Sequence, residues 1–345
     1  MKTIITQWLA HLRPTSLGIS LLICSAVIPG QVQAANTTFS GQATAVDATV
    51  GGIRTVLSDT GPLPASGGAQ DATLLSADVT GLLTADVLHA ATVAQGHNSR
   101  AEAAVANLVL TVGGNTIRAD FLMARANARC AKGKASVSGS SEVVNLSING
   151  MAITVTGAPN QTVALPLGQV VINEQSGSAS GNVGNFTVTA LHVVVTGVAD
   201  VAVSRAHADI ACAVAPPCAG DFVTGGGWIT GTPSGAKGNF GVGGGLRKNG
   251  VLWGHLTFID HGQNGPKVKG TGVTAYSVVG NPKTSTVRHI EGTCEINGSS
   301  GFTYQVDVAD NGEPGRMDTF AITLSNGYTA SGSLAGGNIQ LHVCK

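Results

Sequence analysis

The sequence predicts an all-β protein, with an N-terminal β-sandwich-like domain followed by a smaller antiparallel β-barrel or sandwich. Three observations predict it. Short apolar runs with period-two alternation recur along the chain, as in strands with one buried face. Turn signals separate them, among them Asn249-Gly250, Asn264-Gly265, Asn297-Gly298, Asn311-Gly312 and Asn326-Gly327; Asn-Gly tolerates the positive φ of tight hairpins. Only 11% of residues are charged, and Gly, Ala, Val, Thr and Ser dominate. That composition suits an exported β protein better than a charged, helical intracellular one.

Residues 1–34 read as a secretory signal. Lys2 and Arg13 supply its positive region, residues 17–28 (LGISLLICSAVI) its apolar core, and Val32-Gln33-Ala34 a small-x-small cleavage site. The apolar core is too short for a stable membrane span, and no later stretch is apolar enough for one. Ile23 before Cys24 argues against a lipoprotein signal. Taking Lys2 and Arg13 from the 19 basic residues leaves 17 against 19 acidic ones, so there is no basic footprint for nucleic acid. The expected location is extracytoplasmic, secreted or associated with the cell surface. There, cysteines pair as disulfides more often than they bind metal. Cys130–Cys212 and Cys294–Cys344 are the expected bridges, with Cys218 left over; Cys218–Cys344 is the alternative.

The mature chain divides by aromatic content. Residues 35–217 hold Phe39, Phe121 and Phe186, whereas 218–345 hold ten aromatics. Two cores of different chemistry imply domains at 35–215 and 216–345, joined at the Pro216-Pro217 linker. In the first, strands are expected over 38–46, 53–57, 73–79, 82–93, 102–112, 116–129, 141–148, 152–156, 170–174, 186–196 and 200–211. The Ala-rich run 101–110 competes as a helix on propensity alone. In the second, strands are expected over 222–229, 239–246, 252–259, 267–279, 286–296, 302–309, 319–324 and 339–343. The runs around Tyr304-Gln305-Val306 and Phe320-Ala321-Ile322 flank Asp310-Asn311-Gly312-Glu313-Pro314-Gly315. They read as a hairpin with an acidic tip.

The second domain carries Phe222-Val223-Thr224-Gly225-Gly226-Gly227-Trp228-Ile229, Gly254-His255-Leu256, Ile259-Asp260-His261, Val306-Asp307-Val308-Ala309-Asp310-Asn311-Gly312 and Gly336-Gly337-Asn338-Ile339. It resembles the domain that commonly follows the choice-of-anchor P domain in bacterial secreted and surface proteins. The first domain, through Ala104-Val105-Ala106-Asn107, Val144-Asn145-Leu146-Ser147-Ile148-Asn149-Gly150 and Val171-Ile172-Asn173-Glu174-Gln175, resembles choice-of-anchor P itself. The resemblance implies a bacterial extracytoplasmic protein and no particular activity. It departs from the anchor theme at Val343-Cys344-Lys345, which carries no sorting signal, so secretion or retention by a partner is expected.

Asp307, Asp310, Asn311, Glu313 and Asp318 gather oxygen ligands within twelve residues and form a candidate Ca²⁺ site, though not in EF-hand spacing. Calcium is the sole cofactor candidate. His255 and His261 lie about 20 Å apart on one straight strand, so separate hydrogen-bonding roles are expected rather than zinc binding. Gly225-Gly226-Gly227 lacks the Lys-Ser/Thr partner of a phosphate loop and reads as a close backbone approach or bulge. Trp228, Trp253 and Tyr328 are candidate ligand-stacking aromatics, with core packing the commoner use. Neither Gly-x-Ser-x-Gly nor His-Glu-x-x-His occurs, and no catalytic residue is assigned. The expected function is a non-catalytic binding or envelope-structural role toward an envelope or extracellular polymer or protein. The alternative is an exported enzyme acting on carbohydrate, with acids near Asp307–Asp318 or around Asp260-His261.

Overall fold

The alternating runs become 22 strands, with no helix among the described residues. The computed structural model describes residues 36–213, 220–247 and 250–343. The expected signal, the linker with Cys218, and Cys344 lie outside them.

The strands form three antiparallel sheets. The first comprises β1 (Gln42–Val50), β2 (Ile53–Asp59), β10 (Gln161–Leu165), β11 (Gly168–Ser180), β12 (Val183–Val195) and β13 (Ala199–Ala211), in the order β10-β11-β12-β13-β1-β2. The second comprises β3 (Gly68–Val79), β4 (Leu83–Gln95), β5 (Asn98–Val112), β6 (Asn115–Ala131), β7 (Lys134–Val144), β8 (Ser147–Ile148) and β9 (Met151–Ala152), in the order β3-β4-β5-β6-β8-β9 with β7 also on β6. These two sheets pack face to face over a core of small residues, among them Ala103, Val105, Ala124, Ala126, Val188, Val203 and Ala206. Thin side chains on both faces let the layers approach closely.

The third sheet comprises β14 (Phe222–Ile229), β15 (Gly238–Leu246), β16 (Leu252–Asp260), β17 (Lys267–Val278), β18 (Val287–Ile296), β19 (Ser299–Ala309), β20 (Thr319–Leu324), β21 (Thr329–Ser333) and β22 (Gly336–His342). Its order is β21-β20-β19-β18-β17-β16-β15-β14-β22, curled into a half-barrel. Its aromatic core stacks Phe240, Phe258 and Phe320.

One face of the second sheet meets this half-barrel. Val87, Ala104, Ala106, Phe121 and Met123 pack against Trp228 and Ile259, and Ala69 and Val93 against Phe222 and Trp253. The glycine run belongs to this contact. A Cβ at Gly226 would stand 3.5 Å from His89 Cδ2, and one at the facing Gly241 3.1 Å from His89 Cβ. The backbone that passes directly beneath the Trp228 indole is that of Gly336.

Several expectations change. The Ala-rich run 101–110 is strand, within β5. Strands β10 and β21 were not expected, and 152–156 is strand only at Ala152. Cys130 and Cys212 are bonded. Cys294 is a free thiol buried in the half-barrel core, so it does not make the expected bridge to Cys344.

Candidate functional site

Beyond the apolar contact, the exposed face of the second sheet turns polar. Three consecutive strands place a polar residue at every second position. On β5 these are Asn98, Arg100 and Glu102. In register on β6 they meet Arg129, Asn127 and Arg125. On β7, Ser136, Ser138 and Ser140 continue the three rows. The opposite faces of the same strands hold the alanines of the sandwich core. Strict alternation therefore concentrates the polar groups on one side.

Apart from Glu102, this ladder floors a cleft of about 850 Å³, whose other wall is Gln340 of β22 with Glu313, Pro314 and Arg316 of the β19–β20 turn. A neighbouring cavity of about 300 Å³ shares Asn98, Arg100, Arg129, Glu313 and Gln340. Four arginines line the cleft against two carboxylates, Glu142 and Glu313. Arg125 Nη1 is buried without a hydrogen-bond partner and stands 3.8 Å from Glu313 Oε2. Burial lowers the Arg100 pKa, opposed by Asp310, Glu313 and Glu102. Burial also raises the Glu142 carboxyl, against the Gly337 N–H that it accepts at 3.1 Å. No aromatic side chain stands among the described lining residues.

The acidic turn forms the rim of this cleft. Asp318, fully buried, accepts from the N–H groups of Asn311 and Ile339, each at 2.8 Å. Asp310 accepts from Leu341 N at 2.8 Å. Ile339 and Leu341 lie on β22, which pairs with β14 on one side and ends the sheet on the other. The two carboxylates thus satisfy alternate donors that an edge strand leaves free. Glu313 accepts from Asn338 Nδ2 at 3.3 Å and Gln340 Nε2 at 3.0 Å. Asn311 bonds Met317 O and Thr286 Oγ1. Asp307 faces away and meets His289 Nδ1 at 2.7 Å. The five candidate Ca²⁺ ligands are thereby divided among separate partners. Among the described residues, no group of three or more His, Cys, Asp or Glu side chains is arranged to hold a metal ion.

Burial, with Asp310 and Glu313 nearby, pushes the Asp318 carboxyl up to about 6. A carboxyl raised in the folded state favours folding most below its unfolded value, and that contribution falls as pH rises toward 6. A ¹³C carboxyl titration is expected to place the Asp318 midpoint near 6; a midpoint near 4 would show that the two N–H donors outweigh burial.

The candidate stacking aromatics are not a platform. Trp228 and Trp253 are buried, Trp228 edge-on to Phe121 at 5.0 Å and Trp253 beside Phe222 at 5.6 Å. Half-buried Tyr328 donates to Asp260 at 3.0 Å. His255 and His261 take separate partners, His89 and Asn107. The arginine ladder was missed by sequence reasoning, although its every-second-residue pattern is written in residues 98–102, 125–129 and 136–140.

No family model matches the chain, and no curated protein matches it. A solved structure from Nitrosomonas europaea, titled as an AttH protein, aligns over 88% of this chain and 92% of that one at 9% identity and a TM-score of 0.23. That score is too low to define a shared fold.

Proposed function

We propose that this chain is an exported, non-catalytic binding protein whose cleft holds an anionic polymer of the cell exterior. The observation that carries the reading is the ladder of Arg100, Arg125 and Arg129, interleaved with Asn98, Asn127 and serines, beneath Arg316. Guanidinium forks bind carboxylates and sulfates through paired, charge-assisted hydrogen bonds. Amides and hydroxyls between them suit the hydroxyl groups of a sugar chain. The Cys130–Cys212 bridge fits an oxidising compartment, as does the signal read at residues 1–34. The choice-of-anchor P resemblance belongs to the same proposal.

An enzymatic reading has one observation in its favour: Glu142, raised by burial, and exposed Glu313 line the same cleft. Unlike carboxylates are what glycoside hydrolysis needs. Product release from the polymer, abolished by Glu142→Gln, would establish it.

Calorimetry with oligogalacturonate, and neutral dextran as control, tests the binding reading. The acidic oligomer is expected to bind, more weakly as salt rises, and Arg129→Gln and Arg316→Gln are each expected to weaken it about tenfold. Equal binding of dextran, or unchanged affinity in both variants, would overturn the proposal.

A further inference from the structure

A chain of four ionisable side chains crosses the contact between the second sheet and the half-barrel. Asp71 Oδ2 of β3 stands 3.0 Å from His255 Nδ1 of β16, at ion-pair distance but poorly aligned for a hydrogen bond. His255 Nε2 stands 2.8 Å from His89 Nδ1 of β4, and His89 Nε2 stands 3.0 Å from Glu102 Oε1 of β5. His89 is fully buried, and the His255 and Glu102 side chains are 5% exposed. Gly226, Gly241 and Gly243 seal the rings: a Cβ at Gly243 would fall 2.9 Å from His255 Cε1.

Proton counting constrains this chain. It has three contacts, each between two atoms that carry lone pairs when unprotonated, so each needs one proton. Two ionised carboxylates and two neutral imidazoles supply only two. Satisfying all three contacts requires one more proton, on either imidazole or on either carboxylate, and the chain then carries a net charge of −1 instead of −2. Without that proton, one contact sets lone pair against lone pair in a buried place, which is costly.

The end of the chain lies next to arginines of the cleft. Glu102 lies directly opposite Arg125 and two residues from Arg100 on the same face. Arg247 acts on Asp71 at the other end. Buried His342, which meets Thr224 Oγ1 at 2.9 Å, stands close enough to Arg100 to feel its charge. We infer that Asp71, His255, His89 and Glu102 act as one proton-holding unit that sets the charge of the cleft floor, so that anion binding strengthens when the unit gains its third proton and weakens when it loses it. The inference rests on the anion-binding reading of the cleft. Burial lowers the His89 pKa; burial raises the Asp71 carboxyl, but His255, His89 and Arg247 together outweigh it and hold that carboxyl low. The shared proton's titration is a property of the whole unit.

Two isosteric changes satisfy every contact with neutral imidazoles and so remove the need for the proton. In Glu102→Gln, the new amide donates to His89 Nε2. In Asp71→Asn, at the end remote from the cleft, the new amide donates to His255 Nδ1, and both rings reverse their donors toward Glu102. The experiment has two readouts on the full chain. Without ligand, ¹⁵N imidazole shifts between pH 5 and 8 are expected to show His89 and His255 titrating together over one proton, and both rings staying neutral in either variant. With oligogalacturonate, affinity is expected to fall about fivefold from pH 5.5 to 8, and Asp71→Asn is expected to remove most of that fall. Independent ring titrations, or rings unaffected by Asp71→Asn, would overturn the shared proton. A normal ring titration with the same affinity slope in all three proteins would overturn its coupling to the cleft. No binding at any pH would sink the anion reading and the coupling with it, while the ligand-free spectra still decide whether the proton is shared.

Discussion

Replacing Cys130 and Cys212 together by alanine is expected to cost the fold about 4–5 kcal/mol, on the chain-entropy account of a long closed loop. The two residues are 82 apart in sequence. Cys130 closes β6 in the second sheet, and Cys212 follows β13 in the first, so the bond staples the two layers of the sandwich at one end. Those layers are held by alanine and valine, whose individual burial contributes little compared with larger side chains. A cross-link therefore matters more here than between aromatic-rich layers. Beside the bridge, Cys212 N donates to Asn182 O and Cys130 N to His97 O. The measurement is denaturant unfolding of the oxidised wild type against the double variant. Unreduced peptide mapping should give one linked Cys130–Cys212 peptide, and Cys294 should alkylate only on unfolding. A loss under about 1 kcal/mol would mean that the small-residue core holds the layers unaided.

The parts of this architecture legible in the sequence were those set by local alternation and turn chemistry. Strands such as β14, β16 and β20 follow directly from their runs. The Ala-rich stretch in β5 was ambiguous because alanine packs on both of its faces, so hydrophobicity does not alternate even though the geometry does. The acidic turn stands out in the sequence for its oxygens, but not for what they bond. Its partners, the free N–H groups of Ile339 and Leu341 on a sheet edge, exist only once β22 is known to end the sheet. The arginine ladder was visible as period-two polarity, but nothing local says that β5, β6 and β7 lie side by side or that β22 roofs them. His89 and His255 are 166 residues apart. Each looks like an ordinary strand histidine until two sheets bring them together.

Asp221→Asn is expected to destabilise the half-barrel by about 3–5 kcal/mol, because it leaves a buried guanidinium without its counter-charge. The Arg288 side chain is 2% exposed and Asp221 20%. Arg288 Nε donates to Asp221 Oδ2 at 2.9 Å, Nη2 makes a second short contact with the same oxygen, and Nη1 donates to Val287 O at 2.8 Å and Ser285 O at 3.1 Å. Tyr276 donates its phenol to Asp221 Oδ1 at 2.8 Å. Burial, and then the Asp221 charge, push that phenol pKa up, so it stays a donor at neutral pH. Every oxygen of Asp221 is thus an acceptor, and an amide would turn an N–H₂ toward a donor. The three residues come from the entry to β14 and from the neighbouring strands β17 and β18, and β15 and β16 lie between β14 and β17 in the sheet order. The network therefore bridges the curl, just as Gly244 of β15 faces the Ile290 side chain of β18. Tyr276→Phe should cost less, about 1.5–3 kcal/mol, since it removes one hydrogen bond to a charge and leaves the ion pair. Pairing Asp221→Ala with Arg288→Met should recover much of the loss, because the pair's own desolvation disappears with it. Urea unfolding of the four proteins separates these contributions. An Asp221→Asn loss under about 1 kcal/mol would show that water, rather than the carboxylate, balances Arg288.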